Sequence, residues 1–157
     1  MKELNYKRIV IYLLGLLILG CGIDLNTKTQ LCVSTIISVA YNIAYLTHIP
    51  IGVMTFIYYV LLVIIQWILL GKKFDYFQFL QIPASLVTSL FIQIFDGVIP
   101  VASSYSLRLM MLILAIVITG IGASLTVGMK IVPNPADGLA SVVGEKCHKG
   151  FGFGKNL

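Results

Sequence analysis

Residues 12–25 read YLLGLLILGCGIDL, and residues 112–125 read LILAIVITGIGASL. The two segments align without a gap, and over 12–52 and 112–152 the alignment holds eight identities in 41 positions. The identities include two glycine pairs and the chain's two histidines, His48 and His148. Duplicated apolar units are a construction principle of membrane transporters. The alignment therefore predicts an internal repeat, with halves at about 8–99 and 107–157 of a single transmembrane domain that spans 1–157.

The composition indicates a surface that does not face water. Of the 157 residues, 59% are hydrophobic and 11% are charged, whereas a soluble domain carries about 25% charged residues. Four long runs lack any charge, and a spanning helix needs about 20 apolar residues. The runs are 9–23, 29–71, 76–95 and 109–129. We expect an all-α, multi-pass integral membrane protein that has the lipid bilayer as its main partner.

The net charge of +5 does not indicate a nucleic-acid partner, since basic residues in so apolar a chain usually mark cytoplasmic loops. The three cysteines have no metal-ligand spacing. No catalytic set of residues is recognisable, and six acidic residues with two histidines leave little for catalysis. We expect neither an enzyme nor a bound cofactor or metal.

Four strong spans are predicted, with a break at His48-Ile49-Pro50 because proline and glycine interrupt helices. The spans are about 8–25, 51–71, 77–99 and 107–129. The first also resembles a signal peptide with a lipoprotein box at Cys21. We interpret it as an uncleaved helix, because more membrane sequence follows it.

The segment 31–47 is long enough to be a short span but polar for one, and its copy 131–147 cannot be an ordinary lipid-facing span. The copy holds Pro133, Pro135 and Asp137; proline removes a backbone donor, and lipid offers no replacement hydrogen bond. At least one of the two segments is therefore expected to be a short, broken helix that enters from one side or lies buried against protein.

The basic residues favour a topology in which 31–47 does not cross the membrane. With the N-terminus in the cytoplasm, nine lysines and arginines then lie inside and two, Lys28 and Arg108, lie outside. If 31–47 crosses, Lys72, Lys73 and Lys130 fall outside. The non-crossing topology would make the repeat inverted. It also gives the expected location, a bacterial cytoplasmic membrane with a cytoplasmic N-terminus.

Candidate binding residues come from the two polar segments and from one span. They are Ser34, Thr35, Ser38, Asn134, Asp137, Gly138, Ser141 and Asp96. Paired interrupted segments point to a transporter site, but small polar residues also serve helix packing, and both interpretations stay open.

Three carboxylates carry two interpretations each. Asp137 is expected to cap a short helix over 137–146, to face a cavity, or both. Asp96 is either an intramembrane functional group or part of a helix end. Asp24 is expected to be a solvated residue at a helix end, with cation binding as the alternative. The glycines at 20, 22, 120 and 122 are interpreted as packing or hinge residues.

The order of these features resembles the YczE/YyaS/YitT family of bacterial integral membrane proteins. The resemblance is carried by Gly20-Cys21-Gly22, by the 33–39 run VSTIISV, by Gly120-Ile121-Gly122 and by the 134–139 run NPADGL. It implies a multi-pass plasma-membrane protein and supplies no reaction. Members of that family are typically longer, and the second repeat half is the shorter one. We therefore expect a truncated member or one that lacks its last helices.

Two functional hypotheses follow. The first is a small transporter or permease-like protein for an unidentified small solute. The second is a non-transporting membrane subunit, or a substrate-binding component, that packs against a partner membrane protein or another copy of itself. If 31–47 and 131–147 line one polar cavity, transport is favoured; if packing satisfies their polar atoms, the subunit is favoured.

Overall fold

The computed structural model describes residues 6–31, 35–71, 74, 76–129 and 131–146, without the side chains of residues 35, 36 and 145. Within these ranges the chain forms six α-helices and one 3-10 turn, and no β-strand occurs there. The helices are α1 Tyr6–Lys28, α2 Thr35–Thr47, α3 Ile51–Leu70, α4 Gln81–Val98, α5 Tyr105–Met129 and α6 Pro135–Lys146. The predicted all-α fold class is confirmed.

Four segments are long and apolar enough to cross a bilayer, and they coincide with the predicted spans within three residues. They are Tyr6–Lys28, Ile51–Leu70, Tyr76–Val98 and Tyr105–Met129. The third joins the 3-10 turn Tyr76–Leu80 to α4. The break before α3 lies at the predicted place: α2 ends at Thr47, and His48 has a φ of 55°. The chain is an integral membrane protein.

Helix α4 packs between α1 and α3 and shows how these helices are oriented. Near its C-terminal end, Asp96 accepts a hydrogen bond from Lys28 at the end of α1. One turn earlier, Gln93 accepts a hydrogen bond from the backbone N–H of Gly52 at the start of α3. The end of α1 and the start of α3 therefore lie at one end of the bundle, here called the Lys28 end. The chain thus leaves α1 and enters α3 at the same end of the bundle, in agreement with the non-crossing expectation.

Helices α1 and α5 form the most extensive helix pair, and they run antiparallel. A Cβ placed on Gly22 would lie 2.7 Å from the backbone nitrogen of Thr119, and one on Gly122 would lie 2.6 Å from that of Leu19. The two backbones can approach this closely only because Gly22 and Gly122 have no side chain. Small residues allow close approach in membranes, where van der Waals packing replaces the hydrophobic effect. The packing role predicted for these two glycines is confirmed.

The other two glycines of the motifs differ from each other. Gly20 faces α4, where an added Cβ would lie 3.0 Å from that of Phe91. An added Cβ on Gly120 would meet no atom within 4 Å. Of the two predicted roles, packing therefore holds for Gly20, whereas Gly120 is left with the hinge interpretation, because no described element covers that side of α5.

The short helices α2 and α6 both pack at the centre of the protein. Ile37 near the start of α2 and Ala136 in the first turn of α6 belong to one buried cluster, which also contains Tyr59. With 13 residues, α2 is about 20 Å long, which is short of the ~30 Å hydrocarbon core. Their initial turns are enclosed by protein, where irregular backbone is tolerated at membrane depth.

Candidate functional site

A buried amide pair lies where α3, α4 and α6 meet. Gln66 and Gln81 are both fully buried and exchange hydrogen bonds of 3.2 and 3.3 Å. The Gln66 amide also donates to the backbone carbonyl of Pro135, 2.9 Å away. Because the first residues of α6 enter the protein rather than lipid, these glutamines supply hydrogen-bonding groups that hydrocarbon lacks. The pair attaches α6 to the two long helices.

Gly138 allows this contact. A Cβ at that position would lie 2.7 Å from Oε1 of Gln66 and 3.2 Å from Nε2 of Gln81. The predicted site residue Gly138 therefore lies against the amide pair. The predicted list did not contain Gln66 or Gln81, although amides inside apolar spans are a signal of a buried polar role that the sequence does contain.

Asn134 comes directly before α6 and lies beside Tyr59. Tyr59 is 1% exposed, and its hydroxyl shares a side-chain hydrogen bond with Asn134. The Oδ1 atom of Asn134 is buried and has no hydrogen-bond partner among the described residues. Asn134 is thus a half-buried residue whose amide oxygen is enclosed at the inner end of α6.

The predicted helix over 137–146 begins two residues earlier, at Pro135. Asp137 therefore lies in the first turn of α6 and does not occupy the capping position, so the capping prediction is wrong. The physical reason is that proline suits the first helical position, where its missing N–H would have no helical partner. Asp137 is half-buried and interacts with its surroundings, and an acidic residue in this turn complements the helix dipole.

The remaining predicted residues are not gathered in one place. Ser141 is exposed, and Ser38 is half-buried with an interaction of its own. Ser34 and the side chain of Thr35 lie outside the described residues. Asp96 lies at the Lys28 end, whereas Asn134 and Gly138 contact residues from the interior and the opposite half of α3.

A separate cleft of about 450 Å³ opens at the Lys28 end. It lies between the end of α2, the start of α3 and the last turns of α4. Its lining residues are Tyr41, Ala44, Tyr45, His48, Ile49, Pro50, Ile51, Gln93 and Asp96. This open cleft has the size of a small-molecule site, and it is lined by aromatic rings, an imidazole, an amide and a carboxylate.

Asp96 forms an ion pair in the wall of this cleft. Its Oδ1 lies 2.7 Å from Nζ of Lys28, which also donates to the Asp96 backbone carbonyl at 3.0 Å. The ammonium therefore contributes to the end of α4 in two ways, by pairing with the carboxylate and by binding one of the last carbonyls. Both alternatives for Asp96 remain compatible with this position, since it ends a helix and faces the cleft.

Asp24 lies one helical turn inward from Lys28 and is fully buried. The expectation of a solvated helix-end residue is wrong, because α4 packs over this part of α1. Neither carboxylate oxygen has a hydrogen-bond partner in the described ranges. The nearby Thr27 hydroxyl gives its one proton to the Asp24 backbone carbonyl, 2.7 Å away.

Comparison with known proteins identifies the family and no activity. No curated protein and no solved structure matches the chain. A family model described as a family of unknown function, DUF6198, matches residues 6–157. Since this match covers nearly the whole sequence, the membrane protein described above belongs to the DUF6198 family.

Proposed function

We propose that this protein is a small transporter or permease-like membrane protein, and that the cleft at the Lys28 end admits its solute. The observation that carries the proposal is the cleft itself, which is open at one end of the bundle and bounded by the Lys28–Asp96 pair. A cleft that combines aromatic surface with a few polar groups is the usual form of a small-molecule site. The solute class that fits is a small polar molecule with hydrogen-bonding groups.

The proposal includes an inverted repeat. Helices α1 and α5 occupy positions about one hundred residues apart in the chain, and so do α2 and α6. The antiparallel contact of α1 with α5 and the burial of Ile37 in α2 and of Ala136 in α6 support this arrangement. Such repeats are common in secondary transporters, whose broken helices meet near the middle of the membrane.

The same proposal includes the membrane that holds the protein, the side on which its N-terminus lies and its relationship to a known family. The distribution of lysines and arginines supports a bacterial cytoplasmic membrane with the N-terminus inside. The sequence features shared with the YczE/YyaS/YitT family support a kinship with it. We propose no catalytic role, because the sequence offers no recognisable catalytic set.

A solute screen tests the transport proposal. The purified protein would be heated in detergent with panels of small polar solutes, because a bound solute raises the unfolding temperature. Solutes that stabilise it would then be tested for uptake into proteoliposomes. We expect at least one solute class to stabilise the wild type and to be taken up, and Gln93→Ala to weaken both effects. Stabilisation without any uptake would overturn transport and leave solute binding.

One observation favours the second candidate, a non-transporting membrane subunit. The amides of Gln66 and Gln81 are satisfied by each other and by α6, which is the arrangement expected for packing. Helix α5 is also the least buried of the four spans. Chemical cross-linking of the protein in native membranes separates the candidates. A heteromeric adduct through α5, together with no solute response, would support the subunit.

A further inference from the structure

We propose that Asp24 is a proton-binding site, and that its protonation determines which of two carboxylates Lys28 pairs with. This deepens the proposed transport function by naming a coupling ion, although the site can be measured with no solute present. The proposal starts from geometry: Asp24 is 0% exposed, and neither of its carboxylate oxygens has a partner among the described residues.

For a buried carboxyl group without partners, the protonated, neutral form has the lower free energy. An ionised carboxylate in a low-dielectric surrounding is strongly penalised unless it is paired and hydrogen-bonded. Lys28 is the nearest cation along α1, but its ammonium is already 2.7 Å from Asp96. One ammonium and two carboxylates leave one negative charge over, and a proton on Asp24 brings this cluster to neutrality.

The groups that face Asp24 come from α1 and α4. Lys28 attracts a charge on Asp24, and Asp96 on α4 repels it. Cys21, one turn further inward on α1, also lies within electrostatic range of Asp24. The contacts between α1 and α5 are made by uncharged residues such as Thr119 and Thr126. His48 shares the cleft with Asp96.

The proton exchange itself is simple. A proton taken up from the solvent forms an O–H bond with a carboxylate oxygen of Asp24, and Lys28 stays with Asp96, as the structure has it. When Asp24 returns that proton to water, its carboxylate attracts Lys28, which remains an ammonium throughout. Adjacent turns of a helix lie about 5.4 Å apart, so a change of side-chain rotamer spans the distance.

Movement of Lys28 would change the wall of the cleft. In the observed state the ammonium holds both the side chain and the backbone carbonyl of Asp96. If Lys28 turns to Asp24, the Asp96 carboxylate is freed toward the cleft that it lines. A solute that binds Asp96 would then be linked to release of the proton, which is the coupling that a proton-driven carrier requires.

Infrared difference spectroscopy of the purified wild-type protein between low and high pH tests the proton site. We expect a carbonyl band of a protonated carboxylic acid that is lost at high pH. Asp24→Glu should shift this band because it keeps an acid in a new position, and Asp24→Asn should remove it. Asp96→Asn should weaken the band, because Lys28 is then free to pair with ionised Asp24, whereas Asp137→Asn on α6 is the matched control that keeps the Asp24 band. A spectrum whose acid band is unaffected by either Asp24 variant overturns the proposal.

The pH dependence of unfolding is an independent measurement. If folded Asp24 holds a proton that the unfolded chain releases, the folded state binds more protons, and stability falls as the pH rises. Asp24→Asn should flatten that part of the profile. An unchanged profile in Asp24→Asn would overturn the site. If the proton site is present but no solute is transported, only the proposed function fails.

Discussion

Gln66 on α3 and Gln81 on α4 exchange side-chain hydrogen bonds, and the Gln66 amide also holds the first residue of α6. The pair lies 15 residues apart in the chain, across the turn that joins two spans. The bond to the Pro135 carbonyl explains how α6 is held inside the bundle, although Pro133 precedes it and Pro135 is its first residue.

The first prediction concerns the unequal roles of these two amides. Gln66→Leu removes the bonds to both Gln81 and Pro135, so it leaves a buried amide and a buried carbonyl without partners. Such groups cost about 1–3 kcal/mol each in proteins, although in membranes single hydrogen bonds average nearer 0.6 kcal/mol. Gln81→Leu leaves the bond from Gln66 to Pro135 in place and should cost less. Thermal unfolding in detergent measures the difference.

The double variant Gln66→Leu/Gln81→Leu provides the control for this pair. Since both amides are then gone, its loss of stability should be smaller than the sum of the two single losses. Leu90→Ala, at a side chain that is 54% exposed, should have little effect. Strictly additive losses would contradict a direct interaction between the glutamines.

The second prediction compares two glycines on α5. Gly122→Ala would bring a methyl group within 2.6 Å of the Leu19 backbone nitrogen, so α1 and α5 must separate and the protein should lose stability. Gly120→Ala meets open space and should be neutral or stabilising, by about 0.5–1 kcal/mol from helix propensity. Unfolding temperatures and size-exclusion profiles in detergent measure both. Equal effects of the two substitutions would refute the described helix pairing.

The third prediction concerns the Lys28–Asp96 pair. Lys28→Met removes the cation that lies near both Asp24 and Asp96. Asp96→Asn removes one of the two carboxylates, and Lys28 can then pair with Asp24. We therefore expect Lys28→Met to destabilise the protein more at neutral pH. Lowering the pH should restore part of the stability of Lys28→Met, because a proton on Asp24 leaves one charge of the cluster instead of two without a cation. The measurement is thermal unfolding as a function of pH.

The opposite rank order of these variants would contradict the shared cation. The double variant Lys28→Met/Asp96→Asn serves as the control, since it removes the ion pair without leaving two neighbouring carboxylates. It should be more stable at neutral pH than Lys28→Met alone.

The fourth prediction tests the path of residues 29–50 through the membrane. In a cysteine-free background, single cysteines at Gln30 and at His48, both exposed positions, should react with an impermeant thiol reagent from the same side of the membrane. A cysteine at Tyr76, at the far end of the bundle, should react only from the other side. Labelling of positions 30 and 48 from opposite sides would show that 31–47 crosses and would refute the topology.

Several features of the fold were accessible to sequence reasoning because the bilayer constrains them strongly. Runs without charge located the four spans to within three residues, since lipid excludes charges over the length of a helix. Pro50 located the start of α3 because it interrupts the helix before it. The polarity of 31–47 and the prolines near 135 indicated short helices, and the structure has α2 and α6 there.

The candidate site was much less accessible. Asp24 looked solvated because it lies near the end of a span, and its burial depends on α4, which is about 70 residues further along the chain. The shared cavity expected for α2 and α6 was inferred from composition, which does not say how polar atoms find partners. Two glutamines in other helices provide those partners for α6, and their pairing depends on distances between helices.

The sequence by itself determined that this protein is embedded in a membrane. It also determined the positions of the long apolar helices and of the break before α3, because hydrocarbon tolerates neither charge nor unpaired backbone. Only the tertiary structure decided that Gly22 and Gly122 pack one helix against another while Gly120 stays open, and that one lysine stands beside two carboxylates. These outcomes depend on which faces of the helices meet. That choice follows from close packing among residues far apart in the chain, which no local pattern encodes.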